Sequence, residues 1–187
     1  ELVNIASLVA PSITRVLTKY REYTYPGGGT RYRHQFTDVT RLSETFIPAV
    51  GSDHWLSELF LDISPVSGSV ISAVPSRAEV IVELYAVDGD RKPTGSPLAR
   101  GHYKIASGTG HLYSMVPPVQ LVGGTEYAIV VYTIAGRDYG LQASAAPAGQ
   151  TTTRYWQSSD SGATWAQVAK LNINDFPFTE YGSGEFA

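Results

Sequence analysis

Cysteine is absent from all 187 residues. That excludes a disulfide scaffold, a thiolate metal site and a Cys nucleophile. Charge is scarce as well. Asp, Glu, Lys and Arg make up 17% of the chain, against roughly 25% in average globular domains. Long surface helices draw on Glu and Lys, so this shortage speaks against them. No apolar run approaches the roughly 18 residues of a membrane-spanning helix. No secretory signal pattern is visible, and the lack of an initiator Met reads as a trimmed or processed start. The formal net charge of -3 carries no global nucleic-acid footprint.

Gly, Ser, Thr, Tyr and Pro stand where charge is missing, a mixture that suits strands and turns. Hydrophobic residues are 43% of the chain, enough for the core of one ordinary domain. The charges are unevenly placed. Arg15, Lys19, Arg21, Arg31, Arg33 and Arg41 outnumber Glu1, Glu22 and Asp38, so residues 1–41 are net +3 and the rest is net -6. A basic arm on an acidic body favours contact with an acidic neighbour, a second copy included.

Residues 1–20 leave two readings. Leu8, Val9, Ile13, Val16 and Leu17 have near-helical spacing, with Pro11 suited to a first helical turn; an extended arm is the other. "YPGGGTRYR", residues 25–33, reads as a hinge or hairpin tip, because three successive Gly lose much backbone entropy on ordering. This divides the chain into an arm, 1–33, and a β domain, 34–187.

Beyond that boundary the pattern is all-β. Trp55, Leu59, Leu61 and Ile63 share one parity, interrupted by Ser57. Val80, Val82, Leu84 and Ala86 share one face of a second strand, with Glu79, Ile81, Glu83, Tyr85 and Val87 opposite. "DGD", 88–90, signals a turn, and "KPTGSPLA" a loop shaped by Pro93, Gly95 and Pro97. Strands follow near 98–105 and 111–117. After a turn at Gly123–Gly124, residues 127–133 are apolar on both faces, as in a central strand. Shorter strands fall near 140–142 and 154–157, with two more short runs before the end. About eight to ten strands with closely spaced turns predict a β-sandwich or jelly roll.

The most motif-like stretch is "SSDSGATW", 158–165. Its Ser-x-Asp-x-Gly-x-Thr-Trp pattern resembles the Asp box of sialidases. In such a box the Asp binds backbone N–H groups across a hairpin turn, Gly permits positive φ, and Trp packs under the turn. Asp160, Gly162 and Trp165 suit those structural jobs. Sialidase-like propellers carry several boxes, with catalytic groups elsewhere; this chain has one and is too short for six blades. The series "FIPAVGSDHWLSELFLDI", "VIVELYAVDGDRKPTGSPLARG", "PPVQLVGGTEYAIVVYT", "RYWQSSDSGATWAQ" and "DFPFTEYG" resembles jelly-roll, carbohydrate-binding-like modules of bacteria and phages. Such modules are appended to secreted glycosidases, surface proteins and virion fibres. The resemblance spans roughly residues 36–182. It implies a jelly-roll fold and an extracellular, cell-surface or virion location, and does not specify a ligand. The N-terminal 35 residues and the aromatic-poor "GLQASAAPAG" depart from it.

No catalytic pattern stands out, and a non-enzymatic role is expected. Glycosidases need two carboxylates across the bond they cut. Glu79 and Glu83 lie two strand repeats apart, about 13 Å, on a face read as solvated. No Ser elbow or P-loop is present, and His34, His54, His102 and His111 lack metal-ligand spacing. His54 reads as half-buried at a strand start. Asp88 and Asp90 offer oxygen ligands for a structural calcium, though a plain turn suits them better; no other cofactor is expected.

Tyr and Trp stack on sugar rings and also anchor protein interfaces. Tyr103, Tyr113, Tyr139, Tyr155 and Trp156 are the platform candidates for a glycan. Tyr155 and Trp156 point to opposite faces of a regular strand, so only one would be exposed. In the arm, Tyr20, Arg21, Tyr23, Tyr25, Arg31, Tyr32 and Arg33 suit an interface with protein partners, foremost other copies of the chain. Two functions are therefore expected to compete. One is a structural protein of a virion or cell surface docked by its arm. The other is a carbohydrate-binding module of a secreted glycosidase or adhesin.

Overall fold

The computed structural model describes residues 18–22, 31–61, 63–65, 79–104, 111–134, 139–144, 154–168 and 178–183. They form thirteen strand segments and no helix among the described residues. In chain order these are β1 (Thr18–Glu22), β2 (Arg31–Phe36), β3 (Arg41–Phe46), β4 (His54–Leu61), β5 (Ile63–Pro65), β6 (Glu79–Val87) and β7 (Pro93–Lys104). There follow β8 (His111–Leu121), β9 (Tyr127–Thr133), β10 (Tyr139–Ser144), β11 (Tyr155–Ser158), β12 (Ala166–Gln167) and β13 (Phe178–Ser183).

Ten of them make one antiparallel sheet, ordered β1-β13-β4-β8-β7-β6-β9-β3-β11-β12. Its two halves meet at β7 and β8 through the single register pair Arg100–Val116. The sheet curls about this seam, so residues from both halves enter one core. Phe46 of β3 packs edge-on against Phe178 of β13, ring centroids 5.2 Å apart. Leu56, Leu59, Leu61, Tyr113 and Leu121 from one half meet Leu42, Val80, Val82, Leu84, Ile129 and Val131 from the other. This is the expected all-β, jelly-roll-like sandwich.

A three-stranded sheet, β2-β10-β5, spans the two halves at one end. Each member lies next in the chain to a long strand: β2 precedes β3, β5 follows β4, and β10 follows β9. Phe36 and Ile63 carry the core into this sheet, both fully buried. The chain position 33/34 falls inside β2, whose register with β10 runs unbroken from Arg31–Ser144 to Phe36–Tyr139. β1 pairs with β13, so strands on both sides of that position belong to the same sheets. The rest of residues 1–20 and the triple glycine lie outside the described residues.

Strand β6 keeps the alternation read from its sequence, with Val80, Val82 and Leu84 in the core. Strand β9 is buried along its whole length and flanked on both sides, as a doubly apolar strand should be. Strand β4 departs from simple parity. An irregularity between Leu56 and Glu58 turns Leu56 into the core and leaves Trp55 half-buried, while Leu59 and Leu61 keep the expected side. The loop expected at 92–99 is instead the start of β7. Pro93, Thr94 and Ala99 pair with β6, and residues 95–98, Pro97 among them, fall at the register shift between Leu84 and Ala86.

Candidate functional site

The sheet face turned away from the main core carries a second cluster. On β6 it presents Glu79, Ile81, Glu83 and Tyr85; cross-strand partners add Arg100 and His102 from β7, and Val130 and Tyr132 from β9. Strand β3 adds Arg41 and Ser43, and β11 adds Trp156 opposite Ser43. Ile81, Val130 and Tyr132 form its apolar centre, with Tyr85 and Trp165 packed against it.

Glu83 is the hub. The face of β6 read as solvated is closed here, for Glu83 is 1% exposed. Its carboxylate accepts from Arg100 Nε at 2.7 Å, from Tyr132 Oη at 3.1 Å and from Tyr85 Oη at 2.9 Å. Such a buried charge is tolerable only with several donors around it. Burial, then the Glu83 charge, pushes the Tyr85 and Tyr132 phenols up from their ordinary value. The Arg41 guanidinium covers the Tyr132 ring at 3.9 Å from its centroid, and Lys92 Nζ stands 5.7 Å from the centre of the Trp156 ring. Glu79 is engaged separately by His102.

The "SSDSGATW" segment forms the tight turn between β11 and β12. Asp160 Oδ1 accepts from Thr164 N at 2.8 Å and from Ser158 Oγ at 2.7 Å, and Oδ2 accepts from Thr164 Oγ1 at 2.6 Å. These donors hold the Asp160 carboxyl down at about 2. Gly162 has φ +89°, which suits glycine, and Trp165 lies beside it while packing on the second cluster. Arg41 also borders Gly162, so the turn is tied to the Glu83 face through shared neighbours.

The proposed platform aromatics part company. Tyr113 is fully buried in the core, and Tyr155 packs against the same core from its edge. Burial, then the charge of Glu44, pushes the Tyr155 phenol well up. Trp156 is 6% exposed. None of these three offers an open ring face: Tyr113 and Trp156 are buried, and Tyr155 lies against the core. Tyr103 differs: it is 42% exposed, stacked on His111 at 4.7 Å and set edge-on to Tyr113 at 6.2 Å. Tyr139 opens β10 opposite Phe36 and Pro65.

The arm residues fall on two strands. In β1, Arg21 stands opposite Glu180 of β13, and Tyr20 sits at a register shift. In β2, Arg31, Tyr32 and Arg33 stand opposite Ser144, Ala143 and Gln142. Tyr23 and Tyr25 lie outside the described residues. In the 88–92 turn, Asp88 Oδ1 accepts from Asp90 N and Lys92 N, both at 2.9 Å, while Asp90 pairs with Lys92 Nζ at 2.9 Å. Asp88 and Asp90 thus serve the turn itself. Among the described residues no group of three or more His, Asp or Glu is placed to hold a metal ion. The described residues contain no helix, and so none long and apolar enough to cross a membrane.

Sequence reasoning missed two features. The first is the Glu83 hub; its signal was the Glu-x-Tyr spacing on β6, which sets both side chains on one face. The second is a buried pair between His54 and Glu180, 126 residues apart, which no local pattern announces. Compared with protein-family models and with curated proteins, the chain matches none.

Proposed function

We propose that this chain is a non-catalytic structural component of a virion or cell surface, joined to its partners through the basic, tyrosine-rich N-terminal segment. The observation that carries this reading is the place of β1. It is the outermost strand of the ten-stranded sheet, and no strand lies beyond it among the described residues. An outer strand keeps a row of N–H and C=O groups for another chain to pair with. Lys19 and Arg21 on β1, with Arg31 and Arg33 on β2, make this segment basic against a net-acidic remainder. The arm of one copy therefore complements the body of another. The Glu83 face supports a structural role too, since its carboxylate oxygens are taken up by Arg100 and two phenols.

Light scattering on the intact chain across concentration tests this reading. The expected result is an oligomer that dissociates on dilution and in high salt, and that shrinks in Lys19→Glu/Arg21→Glu with unchanged far-UV circular dichroism. A monomer mass at every concentration and salt level would overturn assembly through copies of the chain.

Tyr103 favours a second reading, a carbohydrate-binding module of a secreted glycosidase or adhesin. Its exposed ring is held by His111 and Tyr113, and a fixed ring stacks on a sugar at low entropic cost. A glycan screen with the wild type and Tyr103→Ala separates the two. Binding lost with Tyr103 supports the module.

A further inference from the structure

His54 opens β4, and Glu180 lies within β13. Both side chains are 1% exposed. His54 Nδ1 lies 2.7 Å from Ser52 O. A carbonyl oxygen can only accept, so Nδ1 carries a hydrogen. His54 Nε2 lies 3.1 Å from Glu180 Oε2. A second hydrogen must stand between those atoms, whether it resides on the imidazolium or on the carboxylic acid. Without it, a nitrogen lone pair faces a carboxylate in a site closed to water, and the contact turns repulsive.

We propose that His54 and Glu180 form a one-proton clasp that fastens β13 to the start of β4, and that loss of the proton as pH rises frees β13 and the β1 strand paired outside it. The strand order makes the consequence specific. β13 has β4 on one side and only the five-residue β1 on the other. Its backbone pairing with β4 is interrupted between Tyr181 and Gly182, so side-chain fastening matters there.

Several groups lie around the pair among the described residues. Asp53 precedes His54 and adds negative charge beside it. Strand β8 sets Leu121 opposite His54, and His111 and Tyr113 further along. In backbone register, strand β1 sets Arg21 opposite Glu180. Burial opposes the His54 charge most strongly, yet the bonds to Glu180 and Ser52 with the charges of Glu180 and Asp53 leave its pKa raised from 6.5. With a raised folded-state value, the stabilisation is complete below 6.5 and is lost as pH climbs through the folded-state value.

The test is hydrogen–deuterium exchange on the intact chain, corrected for the intrinsic pH dependence of exchange. The peptide covering β13 should open several-fold more as pH rises from neutral to mildly alkaline, while peptides covering β6 and β9 stay unchanged. Glu180→Gln supplies the control. Its amide donates to neutral His54 Nε2 without any extra proton, so β13 protection should become flat with pH. Equal pH dependence in wild type and Glu180→Gln would overturn the clasp. So would a His54 titration by NMR falling below 6.5, or a β13 peptide whose protection never changes. The readout concerns one chain and does not require that β1 dock a partner.

Discussion

Arg100 on β7 reaches across the strand pair to Glu83 on β6, its Nη2 2.5 Å from a carboxylate oxygen that belongs to a side chain 1% exposed. The pair is lopsided, for the Arg100 side chain is 57% exposed. Glu83 therefore bears most of the burial cost, and Arg100 with the two phenols offsets it. Removing Arg100 while keeping Glu83 should be worse than removing both charges. Arg100→Ala is expected to cost about 1–3 kcal/mol, the range for stranding a buried acceptor. Arg100→Ala/Glu83→Gln should cost less than the sum of its single changes. Urea unfolding of the four proteins gives the coupling directly.

Acid should act on the β11–β12 turn through Asp160. Its carboxyl is held at about 2, first by the Thr164 hydroxyl and then by the Thr164 amide and Ser158. A depressed folded-state value means the stabilisation is present above the ordinary 3.8 and is lost as pH falls through about 2. Asp160→Asn keeps the shape but not the charge, and removes this acid-sensitive share. The wild-type advantage over Asp160→Asn, read from urea midpoints, should be full at neutral pH and fade in strong acid.

Strand faces were legible in the sequence wherever alternation was regular and the strand central. Val80, Val82 and Leu84 declared the inner face of β6, and residues 127–133 declared a strand covered on both sides. Two kinds of fact were hidden. Parity fails at an irregularity, as at Leu56 and Trp55, because one extra residue shifts every later side chain to the other face. Exposure also depends on what lies above a face. Tyr113, Tyr155 and Trp156 looked like platforms, yet the curl of the sheet and the Glu83 cluster cover them. The turn at 158–165 was readable because the bonds that Asp160 and Ser158 make within it are local, whereas the tie from Ser161 N to Val39 O is not. The His54–Glu180 pair was not, since topology alone brings those residues together.

Gly123 marks a close approach between the β8–β9 turn and the loop after β3. A Cβ there would lie 2.3 Å from Ala49 O and 2.8 Å from Gly51 N, both backbone atoms that cannot swing aside. The Gly123 N–H also donates to Asp53 Oδ1 at 2.8 Å. Gly123→Ala should force the two loops apart and cost about 1–3 kcal/mol, as overpacking does. Gly89→Ala is the control, with nothing within 4 Å of the added carbon; it should stay within about 0.5 kcal/mol of wild type. Thermal or urea unfolding of the two variants decides the comparison.

Ser43 and Trp156 face each other across β3 and β11, and each keeps a buried hydrogen-bonding atom without a partner, Ser43 Oγ and Trp156 Nε1. An unpaired buried polar atom costs free energy that an apolar substitute of similar shape avoids. Ser43→Ala should therefore be neutral or stabilising, by up to about 1 kcal/mol. Trp156→Phe removes the orphan N–H but shrinks the ring, so its loss should stay well below that of Trp156→Ala, for which about 3–5 kcal/mol is expected. Urea unfolding of the three variants orders these costs. A clear loss in Ser43→Ala would mean that its hydroxyl has a partner in solution, such as a bound water, and that this face is wetter than its packing suggests.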